Sequence, residues 1–451
     1  MPSQVTQSDK TILVQIEKLV HGGHGLAHDG AMAVFVPRVL PGESVRVRLG
    51  RSRKGYGEGR LLEVVTASPD RVPAPCRVFG HCGGCQLQHA RPEIQLALKR
   101  DILAETLARL GGLTDVPVPP LVPSPEFLGY RSRSRFAVFS PTKGVASLAF
   151  YEEGSHRPVP ISECPLLPPR LNDAVAHLNS LLGAHEPQSM VLEEVRLGYS
   201  FMTEEVVAQY RTESGTRTQA EAWFAKVRTG FAGLKGQALT AGYGSHARRW
   251  VDGEMALCER VAGLILRFSD RAFSQANWKL NEVLVETVKS WALEGSGVAP
   301  IRVLELYAGV GNFGLPIARA GALVTLVEGN PVALTDARYN ARVNHIGRCR
   351  FRPGPVEEAL GAALPGEYDL VLLDPPRTGL SKETLAALVR FKPPRILYLS
   401  CDPPTLARDL RHLKEEGYRV RRLQGYDMFP QTAHIETLVE LVHASTEVRP
   451  G

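Results

Sequence analysis

The pattern of apolar and polar positions changes character several times along the chain. From Ile12 to about Thr66 it consists of short alternating runs, Ile12–Ile16, Ala33–Val36, Ser44–Val47 and Leu61–Val65, broken by glycines. Alternation with period two sends successive side chains to opposite faces of a strand, so several short strands with glycine turns predict a small β-barrel. The proline-rich stretch Ser68–Pro75 is expected to be a linker, because proline fixes φ and lacks an N–H donor. Ile94, Leu98, Ile102, Leu103 and Leu107 then recur at helical spacing within Arg91–Leu110, and Gly111-Gly112 supplies a stop. Residues 127–270 mix strands such as Arg135–Val138 and Val206–Tyr210 with loops, which predicts an α+β middle domain. From Ile301 the apolar runs Val303–Leu306, Leu323–Val327, Leu370–Leu373 and Ile396–Leu399 alternate with helical segments. That alternation predicts βαβ units in a doubly wound parallel sheet, and the fold class is multidomain α/β.

Composition narrows the class. At 451 residues the chain has material for several cores, and 44% apolar with 22% charged residues excludes an intrinsically disordered chain. The +6 balance permits a polyanionic partner without requiring one, so the placement of the charges matters more. Arg46, Arg48, Arg51, Arg53, Lys54 and Arg60, with Tyr56 among them, form a basic stripe on the predicted barrel, and Arg131, Arg133 and Arg135 form a second row. Cations neutralise phosphates and rings stack on bases, which fits nucleic-acid binding; an ordinary solvated face explains the same charges. No apolar run approaches the ~20 residues of a membrane span, and the polar opening MPSQVTQSDK has no secretory core, so a cytoplasmic protein without a membrane partner is expected. In a reducing compartment, clustered cysteines point to metal or catalysis rather than to disulfides.

Cys76, Cys82 and Cys85 crowd into one short stretch, with Gly83-Gly84 between the last two where the backbone can curl around a metal centre. Soft thiolates suit tetrahedral zinc or an iron–sulfur cube, and spacing does not separate the two. Cys164, in Ser162–Pro165, is either a fourth ligand or a buried cysteine, and Cys258 and Cys349 have structural contexts. The strand Val303–Leu306 runs into Gly309-x-Gly311-x-x-Gly314, with Glu328 further on where a carboxylate takes ribose hydroxyls. An NAD-dependent dehydrogenase or an S-adenosylmethionine enzyme would use this turn, and a ligand-free βα turn would also have it. Asp374-Pro375-Pro376-Arg377 ends another buried strand, where ligands of open parallel sheets gather, and this favours methyl transfer to a base over hydride transfer. Cys401 ends the next strand, as packing or as a nucleophile, while Glu436 in His434–Thr437 taken alone reads as a surface or capping residue.

Together these residues resemble the bacterial RNA uracil-5-methyltransferases, in particular the 23S rRNA branch, over nearly the whole chain. Phe273-Ser274-Gln275-Ala276-Asn277 resembles the family's Phe-x-Gln-x-Asn segment, and the barrel resembles a TRAM domain. The resemblance implies an OB-like TRAM barrel that binds RNA over 8–67, a central iron–sulfur domain over 68–270 and a Rossmann-like methyltransferase domain over 271–446. It implies that Cys76, Cys82, Cys85 and Cys164 hold a [4Fe-4S] cluster and that Gln275, Tyr307, Asn312, Glu328 and Asp374 contact S-adenosylmethionine. It further implies that Cys401 is the nucleophile and Glu436 the base. Two positions depart from the pattern: Ala308 replaces the usual cysteine, and Pro355 stands where many relatives carry an aspartate at the adenine end. The expected partner is RNA, 23S rRNA first and the tRNA T-loop as the alternative, with no obligate protein partner.

Overall fold

The structure, a computed structural model, describes residues 6–7, 10–53, 55–141, 145–184, 190–295 and 299–444. The N-terminal strands close around Val14, Ala27, Val34, Val36, Val45 and Val47, the inward residues of their alternating patterns. The hairpin Ser44–Arg53 with Tyr56–Thr66 is longer than the apolar runs predict, because register shifts let it continue through the arginine- and glycine-rich sequence. Arg46, Arg48, Tyr56 and Arg60 stand on its exposed face. Lys54 and the side chains of Arg51 and Arg53 lie outside the described residues.

The expectation of a linker at Ser68–Pro75 is corrected. Glu43, fully buried in the barrel, receives Arg71 Nε at 2.5 Å and Nη2 at 2.7 Å, and the Val72 N–H donates to His89 O at 2.9 Å. A buried carboxylate without its cation is costly, so this ion pair straps the stretch to the barrel. The helix Pro92–Gly111 starts on proline at its first turn and ends at Gly112 with φ 62°, a left-handed cap. Ile102, Leu103 and Leu107 bury as the spacing predicts, but further towards its N-terminus Gln95 and Lys99 are buried while Ile94 and Leu98 are only half-buried.

The middle domain carries a sheet in the order 158–160, 147–151, 133–139, 192–199, 206–212, 234–241, 248–253, packed by the helices Pro169–Gly183 and Arg217–Thr229. The C-terminal sheet runs 349–353, 323–328, 302–306, 370–373, 395–400, 436–443, 418–426. Six of its strands run in one direction, and only Glu436–His443 runs against them, antiparallel to both of its neighbours. The order reverses beside Arg302–Leu306, where open α/β sheets bind ligands. Glu436–His443 is inserted between Arg395–Ser400 and Tyr418–Tyr426 and is buried along its whole length. Glu436 is therefore a core-strand residue, not the surface or capping residue that its local sequence suggests.

Candidate active site

The parallel register lines up the carboxyl ends of neighbouring strands. Leu306 pairs with Leu373, and Leu373 with Tyr398, so Tyr307, Asp374 and the turn after Ser400 emerge side by side. Across the antiparallel junction Ser400 pairs with Thr437, which brings Cys401, one residue further, opposite Glu436. A strand running the wrong way thus delivers its first residue to the edge where the parallel strands end.

The glycine-rich turn is shaped by two carboxylates. Tyr307, Gly309 and Gly311 all take positive φ, at 61°, 56° and 86°. Glu328 accepts the Gly309 N–H at 2.8 Å and the Asn330 N–H at 2.6 Å. Glu305, buried at the end of its strand, accepts the Gly314 N–H at 3.1 Å, and a Cβ on Gly314 would lie 2.0 Å from Glu305 Oε2. The last glycine is needed for an acid inside the protein rather than for a phosphate. Burial pushes the Glu305 carboxyl up to about 8.

Gln275, Tyr307, Asn312 and Asp374 line one pocket, floored by Gly309 and walled by Trp278. Asn312 is fixed by a reciprocal amide pair with Asn281, at 2.9 and 3.0 Å. Asn277 caps the helix Trp278–Leu293 through the Leu280 N–H at 3.2 Å, and its amide donates to Ser124 Oγ at 2.9 Å and to Met428 O at 3.2 Å. The Ser132 hydroxyl donates to Gln275 O at 3.0 Å, so the middle domain holds the segment that presents Gln275.

Beside this pocket the acids crowd. Burial pushes Asp374 up to about 7. Burial, and then the Asp374 charge, push Glu436 up to about 8, against the opposing Arg377 guanidinium. Cys401 is pushed up to about 12, first by burial and then by Glu436, and Arg377 again opposes. Arg377 Nη2 lies 3.4 Å from His434 Nε2, and burial ahead of Arg377 lowers His434 to about 4, so the imidazole is neutral. From the barrel, His21 Nε2 reaches within 3.8 Å of Asp402 Oδ1, the neighbour of Cys401.

A family model described as tRNA (Uracil-5-)-methyltransferase matches residues 245–444, and a TRAM domain model matches residues 6–62. The chain is 36% identical to the 23S rRNA (uracil(1939)-C(5))-methyltransferase RlmD of Methylococcus capsulatus, over 95% of this chain and 96% of that protein. It is equally 36% identical to the protein of the same name from Halomonas elongata, over 96% of this chain and 90% of the other. The chain belongs to the RNA uracil-C5 methyltransferase family. The structure of Pyrococcus abyssi tRNA (uracil-54, C5)-methyltransferase in complex with S-adenosyl-L-homocysteine superposes with a TM-score of 0.73 at 27% identity, covering 96% of this chain and 100% of that one. Membership in this family removes the NAD-dependent dehydrogenase as a reading of the glycine-rich turn.

In this family member Cys76, Cys82, Cys85 and Cys164, far apart in sequence, line one cavity of about 260 Å³, and all four are free thiols. Gly83 is required there, because a Cβ would lie 2.7 Å from the Glu153 backbone nitrogen. Among the described residues no group of three or more Cys, His, Asp or Glu side chains is drawn together tightly enough to hold a metal ion. Cys258 lies in the strand Ala256–Val261 and Cys349 opens the strand Cys349–Pro353, both away from this cavity. Sequence reasoning missed Glu305, Asn281 and His21. Glu305 was detectable as an acid inside the apolar run Val303–Leu306, whereas His21 and Asn281 acquire meaning only through partners distant in the chain.

Proposed function

We propose that this enzyme methylates uridine C5 in 23S rRNA, with Cys401 as nucleophile and Glu436 as base. The observation that carries the roles is the antiparallel register that sets Cys401 opposite Glu436 at the ligand edge of the sheet. The choice of RNA is supported by likeness to 23S rRNA enzymes at 36% identity over almost the full chain. A tRNA substrate is the second reading, favoured by the shared fold of the archaeal tRNA enzyme.

Gln275, Tyr307, Asn312 and Asp374 would hold S-adenosylmethionine in the pocket they line, with Glu328 at its ribose; Pro355 offers no carboxylate at the adenine end. The open space above Gly309, where a Cβ would meet nothing within 4 Å, and the carboxyl of Asp374 fit a cationic nucleoside. When bound, that molecule supplies an electrophilic methyl group. Uracil C5 is a weak nucleophile because the ring carbonyls draw its electrons away, and covalent catalysis removes this obstacle. The Cys401 thiolate forms a bond to C6, the C5=C6 π bond opens, and its electron pair makes C5 nucleophilic. After C5 has gained its methyl group, Glu436 takes the C5 proton, the C5=C6 bond re-forms and the C6–S bond breaks, which frees Cys401. Arg377, facing both groups, favours their charged forms. The target uridine must leave any helix to reach Cys401, at a cost of roughly a few kcal/mol. Arg131, Arg133, Arg135 and Arg196 along one groove, and Arg38, Arg60 and Arg157 along another, would offset it through phosphate contacts.

The four-thiol cavity is assigned to a [4Fe-4S] cluster. What supports this is the donor set, four thiols facing one cavity, since thiolate ligands are the usual donors of such clusters. The cluster would pin Cys164 to the segment Cys76–Cys85. The proposed division of labour is a TRAM barrel for RNA over 8–67, a cluster-bearing domain over 68–270 and a catalytic domain over 271–446.

The test is transfer of labelled methyl groups to 23S rRNA, 16S rRNA and tRNA transcripts by the wild type and by Cys401→Ala. Label recovered as 5-methyluridine in 23S rRNA and lost in the variant is expected. Label confined to tRNA would move the substrate, and an active Cys401→Ala enzyme would overturn the mechanism.

A further inference from the structure

The strand that begins at Glu436 is entered through residues 427–435, which have no helix or strand of their own and are held, besides Asn277 and Arg377 of their own domain, by a set of partners from outside it. Lys99, fully buried on the helix Pro92–Gly111, places Nζ 2.5 Å from Asp427 Oδ1 and 3.0 Å from Phe429 O. Asp427 is fully buried as well. One turn earlier on that helix, Gln95 Nε2 donates to Gln431 Oε1 at 3.0 Å, and Gln95 Oε1 accepts the Gln431 N–H at 3.0 Å.

Gln431 has φ 70°, a left-handed conformation that costs energy for any residue with a Cβ and that persists only when its surroundings impose it. The surroundings here are the cysteine-bearing segment and its helix. Gln431 O accepts N–H groups from Gln86 at 3.1 Å and Leu87 at 2.9 Å, the Tyr130 hydroxyl donates to Pro430 O at 3.0 Å, and Gln86 Oε1 accepts the Ala433 N–H at 3.2 Å. None of these partners belongs to the catalytic domain.

We propose that Lys99 and Gln95 are positioning residues for the methyl-transfer reaction: by clamping residues 427–431 they set the position from which Glu436 reaches the C5 proton. The proposal rests on the assignment of Glu436 as the base. Taking Lys99 away leaves a buried carboxylate that must find water, and breaking one partner of such a pair is among the more disruptive changes a core can undergo. The segment 427–435, without helix or strand hydrogen bonding, is the part that gives way. A small displacement of a base from its proton is enough to slow that step greatly.

The experiment compares full-length wild type, Lys99→Met, Gln95→Leu and Glu436→Gln on RNA carrying tritium at uridine C5. It follows turnover, tritium release and RNA–protein adducts that survive denaturing gels. In Lys99→Met we expect kcat to fall by about 10- to 100-fold, with the KM for S-adenosylmethionine changed by less than about 3-fold. Methylated covalent adduct should accumulate as in Glu436→Gln, because addition proceeds while proton removal stalls. Gln95→Leu, a neutral change that keeps the ion pair, should show the same signature more weakly, and it decides the matter should Lys99→Met fail to fold. A variant that loses rate without trapping adduct shows a merely structural role and overturns the proposal, as does wild-type turnover in both. If Glu436→Gln itself turns over and traps nothing, the base assignment falls and the proposal with it. If Glu436→Gln traps adduct and neither clamp variant does, only the clamp is wrong.

Discussion

Glu436 should make the folded enzyme less stable as the pH rises, and Glu436→Gln should remove that cost. Burial first, and then the neighbouring Asp374, raise its carboxyl from 4.5 to about 8. Between those values the folded protein keeps a proton that the unfolded chain has released, so the stability contributed by this group falls with rising pH throughout that window. Each pH unit is worth about 1.4 kcal/mol, so at pH 7 this side chain costs about 3 kcal/mol relative to a neutral isostere, and about 4 kcal/mol at pH 8, where half of it has ionised in the folded protein too. Glutamine has the same shape and does not titrate. Urea unfolding of wild type and Glu436→Gln at pH 5 and pH 8, followed by tryptophan fluorescence of the buried Trp278, isolates the effect, because groups distant from Glu436 cancel between the two proteins and only its neighbours Asp374 and Cys401 shift with it. The variant is expected to exceed the wild type by less than about 1 kcal/mol at pH 5 and by about 3 to 5 kcal/mol at pH 8. A gap that does not change with pH, or a variant less stable than the wild type at pH 8, would refute the reasoning. The same variant should lose turnover, since a base held out of water trades stability for reactivity.

Three further outcomes follow from the geometry. Asp374 and Glu436, raised to about 7 and about 8, and Cys401, raised to about 12, are each needed without their protons, so kcat/KM should climb from pH 6 to pH 9; a flat or falling profile would contradict this. Gly314→Ala places a Cβ 2.0 Å from Glu305 Oε2 and should cost about 1 to 3 kcal/mol in urea unfolding, part of which Glu305→Ala in the same chain should restore. Anaerobically purified protein should carry iron and acid-labile sulfide with visible absorbance, and Cys85→Ser should lose them; stoichiometric zinc in the wild type would replace the cluster assignment.

The periodicity of the chain was a reliable guide to the four parallel strands of the C-terminal sheet, but it missed the fully buried strand Glu436–His443, whose apolar residues are interrupted by Thr437 and Glu440. Leu370–Leu373 was legible to the residue, and Gly112 marked the end of its helix because only a left-handed residue closes it there. The reading failed where polar residues bury. Lys99 and Gln95 occupy a helical face that the spacing assigned to Ile94 and Leu98, because their partners Asp427 and Gln431 lie 328 and 336 residues away. Ser68–Pro75 looked like a linker because its anchor, Arg71 on Glu43, is likewise not local.

By itself the sequence determined the α/β class, the four parallel strands Val303–Leu306, Leu323–Val327, Leu370–Leu373 and Ile396–Leu399, the turn after the first of them and the chemistry available at Cys401, Asp374 and the cysteine cluster. All of these are local properties, set by side-chain period, glycine conformations and reactive groups. Only the tertiary structure decided that Glu436 faces Cys401, since that juxtaposition depends on an antiparallel strand inserted beside Arg395–Ser400, and strand pairing is a contact between distant segments. The same holds for the gathering of Cys164 with Cys76, Cys82 and Cys85, for His21 reaching Asp402 and for the raised pKa values around Glu436. Burial and proximity arise when the domains pack, and no window of sequence contains them.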